Sequence, residues 1–343
     1  MATHVRPMNV YVARGSLAEK TKRSLSGLPG GQPPEPEVIA PGLHPTPAHD
    51  LHFHGGKTIG NLNFTNFYVG GPGSWNPNDI QSIDTALTAA MSDQDLNNVM
   101  MQYFHKQPIS STFIPSHVLP GPAPSIVSQG DVENLVQQLY TQGQLTTFDL
   151  TSTVFNFMLP SGTVLNDNAS PSQSIAGAGQ AHQQADVRRS PVPAEDEVDS
   201  LHGLGGYHGS IHVTDNVGTA HTIYYAVGVF SETRQDGTTN GIPVFDVPWK
   251  NVVATFYHEL NEARTDADVE DAIKAGNDPT ATKFLGWTSR QGEECGDFPV
   301  FEANPLTLVF QEVPLTTGNG GVPIQFQYSN AVHGPEGPIP NPH

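Results

Sequence analysis

The chain has 343 residues, enough for one large domain or two ordinary ones, each with a sizeable core. Its 15 Lys and Arg stand against 34 Asp and Glu, a net charge of −19 with no basic run. That balance excludes the positive surface that displaces counterions from nucleic acid, and the polybasic patch that holds a protein to an anionic membrane. A cationic ligand, a divalent metal or a neutral polymer suits the charge, and plain solubility also accounts for it.

With 34 Gly and 30 Pro, the chain reads as a loop-rich mixed α/β fold rather than a helical bundle. The single cysteine, Cys295, leaves no internal disulfide. Residues 1–50, with "GLPGGQPPEPEVIAPGLHPTP", read as an extended Pro/Gly-rich arm, followed by a single domain over 51–343. The N-terminal segment lacks the apolar core of a signal peptide, and no stretch is long enough to span a bilayer.

In chain order, "NLNFTNFYVGG" alternates as a strand does. "NPNDIQSIDTALTAAMSDQDLNNVMMQYFHK" carries Ile80, Ile83, Leu87, Met91, Val99 and Phe104 at helical spacing. It has an Asn-Pro start signal and a predicted break near Ser92-Asp93. "GDVENLVQQLYTQG" is a short amphipathic helix with Val132, Leu135, Val136 and Leu139 on one face and Gly143 as its stop. "VFNFML" is apolar enough for a strand buried on both faces. Residues 166–200 are small, polar and proline-containing, a flexible insertion whose Arg-Arg-Ser offers an accessible protease site. "YHGSIHVTD" and "HTIYYAVGVF" form two strands around a turn at Asn216-Val217-Gly218, and a helix begins near Pro248 or Trp249.

That helix carries the chemistry. Val252, Val253, Phe256, Leu260 and Ala263 give it one apolar face. At about 100° per residue, His258 and Glu262 lie about 40° apart and one turn along, so both can reach one ion while Glu259 sits beside them. A zinc-protease helix has His where Glu262 stands. Zinc accepts a carboxylate oxygen, and the harder ligand also admits manganese, iron or calcium. Downstream, "GWTSRQGEECGDFP" supplies Glu293, Glu294 and Asp297 from a Gly-rich loop, and Asp266 and Asp268 follow the helix directly. The plainer reading of the last two is helix capping.

Fifteen histidines invite over-reading. His52 and His54 share a strand face, as do His208 and His212. His105, His117, His182, His202 and His221 have no partner motif and read as structural or exposed. Ser329 and Asn330 read as a turn that closes the fold, or as a hydrogen-bonding support for the acidic loop. Cys295 in "EECGD" has neighbours that raise a thiol pKa, the wrong direction for a nucleophile. No Gly-x-Ser-x-Gly elbow, phosphate-cradling loop or dinucleotide fingerprint is present.

At these residues the chain resembles the Exordium (phosphate-induced) family and its bacterial relatives. The family pattern runs His-Glu-x-x-Glu-x-x-Thr-Asp/Asn-Pro, an aromatic pair, Gly-x-Glu-x-Gly/Ala-Asp and Gln-x-x-Trp-Ser-Asn. It is met here by "HELNEARTD" (His258 to Asp266), "GW" (Gly286 and Trp287), "GEECGD" (Gly292 to Asp297) and "QFQYSN" (Gln325 to Asn330). Upstream, "YHGS" (Tyr207 to Ser210) and "YYAVG" look like the family's His-Gly and Tyr-Ala strands. Ala267 departs from the family's Pro, Tyr328 from its Trp, and most of its cysteines are missing.

The resemblance implies a zincin-like domain, a mixed sheet packed against the active-site helix. It implies His258 and Glu262 as metal ligands, Glu259 as general base, and Glu294 or Asp297 as a third ligand or as an orienting partner of His258. Asp266 is a further ligand candidate, and His208 a ligand or an oxyanion stabiliser. A strand beside such a helix commonly binds an extended peptide by edge pairing. The function implied is a metal-dependent hydrolase, foremost a zinc peptidase with a metal-activated water, acting on a peptide or other polymer. Two alternatives use the same residues. One is a non-hydrolytic metal enzyme, an oxidoreductase or lyase; the other is a non-catalytic, carbohydrate-binding protein of the cell surface. The family points to secretion, whereas the missing signal segment and the lone cysteine do not; the sequence sets no oligomeric state.

Overall fold

The computed structural model describes residues 39–169, 198–275, 278 and 280–343. Most of the arm (1–38) and most of the insertion (170–197), including its Arg-Arg-Ser and His182, lie outside the described residues.

A five-stranded mixed sheet organises the fold. In chain order its strands are β1 (Asn61–Tyr68), β2 (Ser110–Val118), β3 (Thr153–Met158), β4 (Gly206–Thr214) and β5 (Ala220–Gly228), placed side by side as β2-β1-β3-β5-β4. β1 pairs parallel with β2 and β3, and β3 parallel with β5; the edge strand β4 runs antiparallel to β5. β3 is buried at all six positions, Asn156 included, as its largely apolar run predicts. The β4–β5 register pairs His208 with Ala226, and Ala226 pairs with Asn156 of β3. His208 therefore shares a sheet face with Val154, Met158, Tyr224 and Ala226.

Six α-helices occur among the described residues. Helix α1 (Pro77–Ser92) starts where Asn76 accepts a hydrogen bond from the Asn78 N–H, with Pro77 in the first turn. It ends at Asp93, which caps α2 (Gln94–Met100) through the N–H groups of Asp95 and Leu96. The predicted break thus falls where one Asp stops one helix and starts the next. Helix α3 (Gln129–Thr141) opens with a reciprocal Ser128–Asp131 capping box and packs Val132, Val136 and Leu139 into the core cluster on the second sheet face.

Helix α4 (Pro248–Thr265) packs on the His208 face of the sheet, and α5 (Val269–Ala275) and α6 (Asp297–Glu302) follow it. An antiparallel hairpin of β6 (Phe310–Pro314) and β7 (Gly321–Gln325) covers α4 from the other side. Its residues from Asn251 to Thr265 are consequently all buried, the charged ones included. The helix to which periodicity gives one apolar face is thus buried all round from Asn251 to Thr265.

The part of the arm within the described structure, 39–50, packs onto the domain, with Ile39, Ala40 and Leu43 buried in the main cluster. The peptide N–H of Leu51 donates to Asn330 Oδ1 (2.8 Å), and Asn330 Nδ2 donates back to the Leu51 carbonyl (2.8 Å). Asn330 thus ties the N-terminal segment to the C-terminal one, which is the fold-closing role, and its partner is not the acidic loop.

Candidate metal centre

Four elements converge on one buried point. Helix α4 presents His258, Glu259 and Glu262 from a single turn; edge strand β4 presents His208; the Gly292–Asp297 loop and the start of α6 present Glu294 and Asp297. All six are at most 6 % exposed. His258 Nε2 lies 3.1 Å from Glu262 Oε2 and 3.9 Å from Glu259 Oε1. His208 Nδ1 lies 3.7 Å from Glu259 Oε2 and 3.8 Å from Glu262 Oε2, and His208 Nε2 is 3.5 Å from Glu294 Oε1. Two triads have donor atoms all within 4.8 Å of one another: His258–Glu262–Asp297 and His208–Glu262–Glu294.

Backbone and amide groups hold this arrangement. The Gly296 N–H donates to Glu262 Oε1 (3.0 Å), which leaves Oε2 facing the histidines. Gln325, the last residue of β7, donates from Nε2 to the carbonyls of Gly296 (2.8 Å) and Phe326 (2.9 Å). With its NH2 committed, its Oε1 must face His258 Nδ1, so Nδ1 donates and Nε2 is the nitrogen directed at Glu262. Glycine is required at 296: a Cβ there would sit on the His258 ring. Gly206 on β4 is likewise packed against Glu259 Oε1 and the Val227 carbonyl.

Burial dominates the electrostatics, and neighbours decide which groups yield. Burial pulls the His258 pKa down, but the charges of Glu262 and Glu259 override it and lift it to about 10. His208 is raised in the same way, mainly by Glu259 and Glu262 working against burial. Burial pushes Glu262 up, but His258 outweighs it and holds Glu262 below its ordinary value. Burial, then Glu262, drives Glu294 and Asp297 well above the carboxylate range, and burial also raises Glu259. Glu294 Oε1 and Asp297 Oδ1 are buried without a hydrogen-bond donor, although Asp297 Oδ2 accepts the Glu294 N–H (2.7 Å). Buried carboxyl oxygens without donors fit a cation in place of the protons that burial favours.

Asp266 stands apart from both triads. Its Oδ1 accepts the Gly286 N–H (2.6 Å), its carbonyl lies 3.3 Å from His208 Nε2, and burial raises its pKa to about 7. It shapes the loop behind His208. Glu293 is turned away, 3.3 Å from His49 Nδ1 and in contact with Ser289 Oγ. His52 and His54 are exposed beside a two-residue pairing with Trp287–Thr288, and His212 is exposed on Asp271 (2.7 Å). Burial raises the Cys295 thiol pKa, as its acidic context suggested.

Gln325 is the functional residue that residue chemistry overlooked. It lies in the quoted "QFQYSN", and only the tertiary position of Gly296 gives it a role. The edge-pairing surface for a peptide is also altered. The outward N–H of Ser210 donates to Glu270 Oε2 on α5 (2.8 Å), so that ladder position is already filled. Comparisons with family models, curated proteins and solved structures each find no match.

Proposed function

We propose that this chain is a metal-dependent hydrolase, in its narrower form a zinc peptidase, with its centre on α4. The observation that carries the reading is the turn from His258 to Glu262. It brings two ligating side chains and a third carboxyl group to one point, opposite an Asp297 oxygen without a donor. His258 Nε2, Glu262 Oε2 and Asp297 would hold the ion. A bound divalent cation supplies a Lewis acid and lowers the pKa of water to near neutrality.

The residues of the chain do the rest. Gln325 fixes the His258 tautomer, and the Gly296 N–H fixes the Glu262 rotamer. Glu259, ionised once a cation offsets its buried charge, accepts a proton at its carboxylate and returns it to the leaving group. His208, 3.7 Å from Glu259 Oε2, closes the other side of the site, as a further ligand or, when protonated, as a stabiliser of negative charge. We extend the proposal to the Exordium family and to a zincin-like packing, with α4 against a mixed sheet whose edge strand is antiparallel.

One observation favours a second reading on the same residues. All six groups are at most 6 % exposed and the Ser210 edge N–H is filled, so an extended peptide has little approach to Glu259 in this conformation. A carboxylate-rich, enclosed donor set suits iron or manganese and a small substrate in a non-hydrolytic reaction.

Elemental mass spectrometry of the purified protein, with His258→Ala and Glu262→Ala beside it and Glu259→Gln assayed on peptide libraries, tests both. Zinc lost in the two ligand variants, with hydrolysis abolished but metal retained in Glu259→Gln, supports the hydrolase. Full activity in Glu259→Gln removes that mechanism. Iron or manganese without hydrolysis promotes the second reading, and folded wild-type protein that takes up no metal removes both.

A further inference from the structure

We propose that the centre is built for two divalent cations sharing Glu262, one on the His258–Asp297 side and one on the His208–Glu294 side. The inference rests on the metal-centre reading above and specifies its nuclearity. The two triads have only Glu262 in common, and its Oε2 lies 3.1 Å from His258 Nε2 and 3.8 Å from His208 Nδ1. Glu259 spans the same gap with one oxygen turned to each histidine: Oε1 3.9 Å from His258 Nε2, Oε2 3.7 Å from His208 Nδ1. A shared Glu262 between two imidazoles, with Glu259 beside the gap as the base, is the layout of a bridged pair, whose ions sit about 3.5–4 Å apart.

Two further observations point to a second ion. Each triad has its own buried oxygen without a hydrogen-bond donor, Asp297 Oδ1 in one and Glu294 Oε1 in the other. A single cation on the His258–Asp297 side would leave Glu294 Oε1 with only the 3.5 Å approach of His208 Nε2. Charge gives the same count. Glu259, Glu262, Glu294 and Asp297 bring four negative charges into a site at most 6 % exposed, with both histidines neutral when they ligate. One divalent ion leaves two of those carboxyl groups to be neutralised by protons, whereas two ions balance all four carboxylates.

Manganese(II) is the probe. Metal-free wild-type protein is titrated calorimetrically with Mn(II), and electron paramagnetic resonance spectra are recorded at one and two equivalents. The expected result is two equivalents bound, with an exchange-coupled pair signal replacing the isolated-ion spectrum at the second. The near-isosteric Glu294→Gln and Asp297→Asn, checked for folding by circular dichroism, should each retain one equivalent with an uncoupled spectrum. One uncoupled equivalent in wild type overturns the two-ion proposal and leaves the single-metal reading standing. No binding at all overturns both. The wild-type stoichiometry and coupling decide the matter even if a variant fails to fold.

Discussion

Gly296→Ala isolates the packing of one ligand ring. Gly296 has φ −95° and ψ −20°, ordinary for alanine, so backbone strain plays no part. The added methyl would fall inside 3.0 Å of three atoms of the His258 ring. Ordinary carbon contacts lie near 3.5–4.0 Å, so ring or loop must retreat by roughly 1 Å. The ring cannot move freely, because Gln325 Oε1 holds Nδ1 and Glu262 Oε2 faces Nε2 at 3.1 Å. The loop cannot move freely either, because Gly296 donates to Glu262 and accepts from Gln325. Overpacking of this kind costs about 1–3 kcal/mol of stability. Misplacing a ligand to the degree that losing its supporting partner does costs about 10–100-fold in metal affinity. Competition titration of zinc against a chelator reads the second effect, and urea unfolding of metal-free protein reads the first. Gly73→Ala, with nothing within 4 Å of its Cβ, is the control and should match wild type in both. Wild-type zinc affinity and stability in Gly296→Ala would refute the argument that this glycine seats His258.

Two predictions concern groups away from the ligands. Burial raises Glu302 to about 7, and its Oε2 has no hydrogen-bond donor. A raised folded-state pKa means a contribution fully present below about pH 4.5 and lost as pH climbs through 7, because the unfolded chain gives up its proton first. Glu302→Gln should therefore be near-neutral at pH 4 and stabilising by about 1–2 kcal/mol at pH 8, after discounting for its partial exposure; equal urea midpoint shifts at both pH values would contradict this. Arg264 is fully buried, and burial lowers its pKa to about 10. It donates to Asn97 Oδ1 (3.3 Å), the Ser110 carbonyl (2.9 Å) and Ser111 Oγ (2.6 Å), joining α4 to α2 and β2. Arg264→Ala should cost about 3–5 kcal/mol through the cavity and the stranded acceptors, and Arg264→Lys should not recover it, since an ammonium cannot reproduce the fork. A loss below about 1 kcal/mol in chemical denaturation would show the linkage to be dispensable.

Much of the fold was legible because local signals were strong. Asn76-Pro77 and Asp93 mark the ends of α1, and the largely apolar "VFNFM" marks a two-sided strand. β2 was not legible because Pro115 interrupts its pattern. The sheet tolerates that proline on an edge strand, where β2 needs only one neighbour, and the β1–β2 register shifts between Thr65 and Phe67. The β6–β7 hairpin was missed for a related reason. It carries Pro314 and Pro323 and is defined by what it covers, since Phe310, Val313, Val322 and Ile324 join the core cluster that holds the apolar residues of α4.

The site divides along the same line. His258, Glu259 and Glu262 are one helical turn, and helical spacing suffices to find them. Glu294 and Asp297 stand out only as acids in a glycine-rich loop, and His208 only through a motif. Nothing in the residue types separates Glu294 from Glu293 beside it, yet one faces His208 and the other His49. That choice is made by the turn in which the Ser289 hydroxyl holds Glu293 and the Glu294 N–H binds Asp297. In a chain of net charge −19 any acidic residue reads first as solvated. What turns these acids into a candidate centre is the hairpin closing over α4, which removes the water that would otherwise solvate four carboxylates. The cost of ionising them together is then set by burial, and only cations, as protons or as metal, offset it.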